Sequence, residues 1–175
     1  MFTNDFFASL VLVTAAAGAA NTGADLGTLP DLTPGSVSSS ERLTARGVQV
    51  YQCRATPGVA SGPTQWVFVA PQADLFDADG RRVGRHFDGP RWQADDGSRI
   101  VGSVKARADA PRAGAIAWLL LTTTSEGGTG RFSRVANVQR INTVGGVAPE
   151  AGCGAASLGA SVSVPYTADY VFLTP

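Results

Sequence analysis

Residues 46–53 (RGVQVYQC) alternate apolar and polar positions with period two, the mark of a strand with one buried face. Val48 and Val50 set the phase of that alternation, so both are expected to point into the core. Residues 65–70 (QWVFVA) are apolar almost throughout, which predicts a second strand covered on both faces. Between 74 and 85, Leu75-Phe76 and Arg82-Val83-Gly84 flank Asp77-Ala78-Asp79-Gly80, a hairpin turn signal. Further strands are predicted at 92–94 (WQA), 99–106 (RIVGSVKA), 116–124 (IAWLLLTTT), 135–143 (VANVQRINT) and 170–173 (YVFL). Their separators are turn chemistry: Asp96-Gly97, Ala110-Pro111, Glu126-Gly127-Gly128, Gly145-Gly146 and Val164-Pro165. No helical stripe interrupts this series, although a short helix at 71–74 or in the loop around Cys153 fits the pattern.

Turns at such intervals, in a chain with 21 Gly and 10 Pro, predict an all-β fold: an antiparallel β-sandwich or barrel with one disulfide and little helix. Residues 41–175 are read as a single domain. The apolar density of 116–121 marks a central strand, so no exposed edge is expected there.

The remaining chain reads differently. Residues 8–20 (ASLVLVTAAAGAA) form an apolar run of signal-peptide length, too short to span a bilayer as a helix and closing on small residues. Its head carries Asp5 and no Lys or Arg, so a buried helix capped by Asn4 and Asp5 is the alternative. Residues 1–20 are taken as an export signal, and 21–40, rich in Gly, Pro, Ser and Thr, as a flexible arm. Behind such a leader the two cysteines, Cys53 and Cys153, predict one structural disulfide and a secreted or periplasmic protein. Closing so long a loop restricts the unfolded chain by about 4 to 5 kcal/mol.

Fourteen basic and fourteen acidic residues balance, and the basic ones are scattered. This charge pattern favours neither nucleic acid nor an anionic membrane surface.

Candidate chemistry concentrates in 86–98. His86, the single histidine, stands near Asp88, Trp92, Asp95 and Asp96. A histidine beside a carboxylate can act as a general base, and a tryptophan among polar groups can stack on a sugar or another flat ligand. The plainer alternative has His86 bonding a carbonyl in a turn shaped by Gly89-Pro90, with Trp92 filling the core. Asp95-Asp96-Gly97-Ser98 reads as a hairpin turn before a ligand cluster. Arg140 follows Val138 and precedes Ile141 in an apolar strand, so it either reaches solvent or is buried against a carboxylate such as Asp169, with Tyr166 and Tyr170 nearby.

Familiar catalytic templates find no match. There is no Gly-x-Ser-x-Gly elbow, and one histidine is too few for the usual zinc and copper sites. Loop oxygens of Asp74, Asp77, Asp79, Asp88, Asp95 and Asp96 leave a calcium site open, although Asp77-x-Asp79-Gly80 matches only part of an EF-hand loop. Gly127-Gly128-Thr129-Gly130 has no following Lys-Ser/Thr and reads as a glycine turn. No metal and no cofactor is expected.

Five strings occur in order: Gly47-Val48-Gln49-Val50-Tyr51-Gln52-Cys53; His86-Phe87-Asp88-Gly89-Pro90-Arg91-Trp92 leading to Asp95-Asp96-Gly97-Ser98; Trp118-Leu119-Leu120-Leu121; Val138-Gln139-Arg140-Ile141-Asn142-Thr143-x-Gly145-Gly146; and Val164-Pro165-Tyr166-Thr167-Ala168-Asp169-Tyr170. Together, over about 41–173, they resemble domain-of-unknown-function family 3455, mostly secreted bacterial and fungal proteins. The resemblance implies no established activity. It also implies a Tyr after the histidine, where this chain has Phe87.

Three roles follow as expectations. The first is a non-enzymatic binding module for a carbohydrate or small polar ligand, using His86, Asp88, Trp92, Asp95 and Arg140. The second is a hydrolase-type enzyme with His86 and a nearby Asp, Asp88 or Asp95, as acid and base. The third is a structural envelope or stress protein without ligand.

Overall fold

The computed structural model describes residues 36–56 and 62–175. The proposed export signal and residues 21–35 of the arm lie outside the described residues, while Ser39 and Ser40, at the end of the arm as read, already belong to β1. Eight strands follow one another: β1 (Ser39–Ala55), β2 (Thr64–Phe76), β3 (Arg82–Phe87), β4 (Arg91–Ala94), β5 (Arg99–Ala108), β6 (Trp118–Gly127), β7 (Asn137–Gly145) and β8 (Ser161–Thr174). Each pairs antiparallel with its neighbour in sequence, and β8 pairs with β1 from Ser39↔Thr174 to Gln52↔Ser161. The sheet is thus a closed barrel, and of the two all-β architectures expected the barrel is the one formed. The single described helical turn is a short 3₁₀ segment, Ala155–Ser157, in the disulfide loop. Residues 71–74 lie in β2 instead.

Inward positions on β1 are Leu43, Ala45, Gln49, Tyr51 and Cys53, all buried. This reverses the expected phase, since Val48 and Val50 are only half-buried on the other parity. Two valines had fixed the phase over a short window, whereas the longer odd-numbered row carries the bulky inward side chains. The reversal puts a polar amide, Gln49, inside the barrel. Gly47 shares that inward parity, and a Cβ there would overlap the Gln72 carbonyl of β2. Its absence lets the two strands approach.

Layers of aromatic and aliphatic side chains fill the lumen toward one end. Phe132, carried by the β6–β7 connection, is fully buried and stacks on Phe172 of β8 with ring centroids 4.4 Å apart. Around it lie Leu43, Leu75, Ile100 and Val138. Asp96 fixes the plug from outside: its carboxylate accepts from the Ser98 hydroxyl at 2.6 Å and from the Arg131 backbone N–H at 2.7 Å, while Ser98 Oγ accepts from Phe132 N–H. The turn at Asp95-Asp96-Gly97-Ser98 forms as read, with Gly97 at φ 88°. So does the Asp77–Gly80 turn, where Asp77 Oδ1 accepts from the N–H groups of Asp79 and Arg81.

The opposite end is incompletely walled. β3 pairs with β2 only over Gln72–Phe76, and β4 pairs with β5 only over Arg99–Val101. Residues 64–71 of β2 and 102–108 of β5 therefore rise past a low β3–β4 hairpin and leave a notch between them. This corrects the reading of β2 as covered on both faces: Phe68 is 46 % exposed and Val69 44 %. A second correction concerns Val164-Pro165, which lies inside β8, opposite Val48 and Gln49, instead of in a turn. Pro165 sits just past the last β7 pair, Gly145↔Tyr166, where its missing N–H costs no ladder bond.

The predicted disulfide joins Cys53 to Cys153 with Cα atoms 5.3 Å apart. It fastens the β7–β8 connection to β1, helped by Thr64 Oγ1 donating to the Cys153 carbonyl and Trp66 Nε1 donating to that of Ala151. Such a bridge belongs to an oxidising, extracytoplasmic setting. Among the described residues no helix is long and apolar enough to cross a membrane.

Candidate functional site

β3 and β4 place His86 directly opposite Trp92, with both side chains directed inward. The rings lie parallel, centroids 4.6 Å apart and planes 8° from coincidence. Tyr170 of β8 meets both edge-on, at 4.9 Å from His86 and 5.5 Å from Trp92. Gly102 makes room for this indole, because a Cβ there would come within 2.9 Å of Trp92 Cζ3. Asp88 and Gly89 turn the hairpin in left-handed conformations, φ 46° and 74°, which Asp and Gly tolerate best.

His86 is 4 % exposed and bonds the Arg91 carbonyl through Nδ1 at 2.7 Å. Burial pushes its pKa down to about 3, against the pull of the Arg91 carbonyl and with added help from the Arg140 charge. The imidazole is therefore neutral at physiological pH. In that state Nδ1–H donates to Arg91, which leaves Nε2 as an acceptor.

The carboxylates do not join it. Asp88 points outward, with its side chain 74 % exposed, and pairs with Arg91 at 3.0 Å. Asp95 pairs with Arg82 at 2.7 Å, and Arg82 also holds Asp74. No pair of His86 with Asp88 or Asp95 is formed. Trp92 is buried and one of its faces is occupied by His86, so the contact with a carbonyl and the core packing foreseen in the plainer alternative are both present.

Arg140 enters the lumen from β7, opposite Tyr170. The expected pairing with Asp169 does not occur. Asp169 has the outward parity of β8, where it accepts from Asn142 Nδ2 at 2.9 Å and pairs with Arg42 at 3.7 Å. Arg140 instead donates Nε and Nη2 to one carbonyl, Ala117 O, at 3.0 and 2.8 Å. Among the described residues no carboxylate pairs with it. Burial pushes the hydroxyls of Tyr51, Tyr166 and Tyr170 upward, and the Arg140 charge opposes this at all three. Gln49, 2 % exposed, lies beside the Tyr166 hydroxyl and opposes its upward shift, yet its amide nitrogen makes no hydrogen bond of ordinary geometry.

These groups surround a cavity of about 180 Å³ that opens through the notch. Phe68 and Val104 stand on opposite rims, Pro71 and Pro90 border the low hairpin, and Leu119 and Leu121 form an aliphatic wall. His86, Trp92, Tyr170, Gln49 and Arg140 line the interior. A second hollow of about 400 Å³ shares Gln49, Phe68, Leu119 and Arg140, and adds Tyr51, Ile116 and Arg107. Neither lining contains Asp or Glu. Among the described residues no cluster of three His, Cys, Asp or Glu side chains suits a metal ion.

Of the site residues read from sequence, His86, Trp92 and Arg140 converge on this cavity, and Asp88 and Asp95 do not. Gln49, Phe68 and Val104 were missed. For Gln49 a signal existed: it is the polar member of the row Leu43, Ala45, Tyr51, Cys53. Phe68 and Val104 looked like ordinary strand residues.

Comparison with known families yields one finding: the model of a family described as "Protein of unknown function (DUF3455)" matches residues 34–174. Comparisons with curated proteins and with solved structures find no match.

Proposed function

Because the chain belongs to the DUF3455 family of proteins of unknown function, and membership brings no activity with it, we propose from the geometry that it is a secreted or periplasmic, non-enzymatic binding module that receives a small ligand in the barrel mouth. The observation that carries this reading is the open cavity, whose rim residues Phe68 and Val104 are 46 % and 56 % exposed while its interior is aromatic and aliphatic. An eight-stranded barrel is just wide enough to be filled by side chains or to hold one small ligand. Here one end is filled and the other is not.

Concave, largely apolar sites with a few polar groups are the usual form of small-molecule pockets. The walls favour a flat or aliphatic body over a fully hydroxylated one, because a sugar would leave hydroxyls against Leu119, Leu121 and Val104. His86 favours binding over turnover. It is neutral, bonded to a carbonyl and enclosed by rings, without the carboxylate support on which an acid–base pair draws.

The test is an NMR titration read at the ring protons of His86, which no other histidine obscures. Phenol, benzyl alcohol and hexanol are compared with glucose and N-acetylglucosamine. Saturable shifts with the apolar probes, removed by the cavity-filling Leu119→Trp, are expected. Shifts with the sugars alone would restore a carbohydrate site. A ring that responds to no probe would overturn the binding reading.

A further inference from the structure

We propose that the ligand of this cavity is an organic acid, with a single carboxylate received by Arg140 and the Gln49 amide on a short aromatic or aliphatic body. The inference rests on the binding reading above and names the chemical class of its ligand.

Three observations converge on it. The first is a contrast among arginines. Arg42, Arg81, Arg82, Arg91, Arg99 and Arg131 each pair with a carboxylate on the outside of the barrel. Arg46, Arg54, Arg85, Arg107, Arg112 and Arg134 pair with none but are exposed to water, whereas Arg140 is half-buried in the lumen, pairs with no carboxylate among the described residues, and has the Ala117 carbonyl and the Tyr170 hydroxyl beside it. A half-buried guanidinium without a counter-ion is costly to keep, and it is the donor best shaped for a carboxylate.

The second observation is Gln49, whose buried amide N–H₂ lies near the Tyr166 hydroxyl but makes no hydrogen bond of ordinary geometry, and which lines the same cavity as Arg140. Buried donors are nearly always bonded, so an amide held only loosely by a phenol is open to a better acceptor. A carboxylate accepts from both groups at once.

The third is the remaining wall. It contains no Asp or Glu to repel an anion, and its apolar surface gives a bare inorganic anion little to replace its hydration. A cavity of about 180 Å³ suits a body near benzene in size, since an apolar cavity of about 150 Å³ accepts benzene. Tyr170, T-shaped against His86 and Trp92, adds aromatic surface to the wall that an aromatic body would meet.

Calorimetric titration of the full chain at pH 7 with phenylacetate, phenylacetamide, 2-phenylethanol and inorganic phosphate tests the proposal. Phenylacetate should bind about 10-fold or more tightly than its two neutral analogues, the gain expected of a charge-assisted bond. Arg140→Met should erase that preference while leaving the neutral analogues bound, and Arg140→Lys should retain part of it. Gln49→Leu should reduce the preference without changing its sign. Equal binding of acid and neutral analogues would overturn the organic-acid assignment and leave the binding module standing. Phosphate binding tighter than phenylacetate would overturn the assignment too, since it would mean an anion site indifferent to the apolar walls. If no compound binds, the reading on which the assignment rests fails with it.

Discussion

The two ends of the barrel solve opposite problems with the same strands. At the end capped by Phe132 the core is a continuous apolar cluster, and its few polar groups are bonded, as Asp96 is to Ser98 and Arg131 and Thr123 is to the Val135 carbonyl. At the notched end the lumen holds Arg140, Gln49 and His86, and volume is left unfilled. One end is held by close packing. The other is held by the disulfide and by bonds to loop carbonyls, and it keeps polar groups that packing alone would exclude. The difference teaches that close packing and unfilled polar volume are separated along the barrel axis, so substitutions at the two ends should fail in different ways.

The largest effect is expected at the filled end. Phe132→Ala empties the plug and should lower the unfolding free energy by about 3–5 kcal/mol, measured by urea denaturation. A loss under about 1 kcal/mol would mean that this end is not the cooperative core. At the notched end, replacing both Cys53 and Cys153 with Ser should cost about 2–5 kcal/mol. Hydrogen exchange should show the first loss of protection in 146–160 and in 64–66, while β3 to β5 remain protected.

A third test uses acid. The His86 pKa is depressed from 6.5 to about 3 on folding, so the unfolded chain takes up a proton that the folded chain refuses. Its contribution is present above about pH 6.5 and is lost as pH falls toward 3, at roughly 1.4 kcal/mol per pH unit at most. His86→Gln should flatten that part of the stability profile, and an unchanged slope would count against the enclosed ring. The smallest stability change is expected of Arg140→Met, which removes an unpaired charge and should shift the unfolding free energy by less than about 1 kcal/mol in either direction. A large destabilisation there would make Arg140 a structural group and erase the contrast between the ends.

Much of the barrel was legible because parts of its strands alternate well and several are separated by Asp-Gly and Gly-Gly turns. The failures share a cause: each depended on which strand lies alongside. Val48 and Val50 were given the inward face because a local pattern has no knowledge of the row from Leu43 to Cys53. Pro165 read as a breaker, although it stands where β7 has already ended. Phe68 and Val69 are apolar in a segment that rises past its neighbour, so their exposure is invisible to hydropathy. For the site, His86 and Trp92 were legible as neighbours in one hairpin. Arg140 was legible only as an oddity in an apolar strand, since nothing local tells which parity of β8 carries Asp169.

The seam between β1 and β8, the longest pairing in the sheet, joins the first strand to the last. Neither can be completed until the residues near 174 have emerged from the ribosome, and the Cys53–Cys153 link must wait almost as long. A nascent chain therefore carries a long first strand without its main partner through nearly the whole of its synthesis. The ring of strands closes only when β8 arrives.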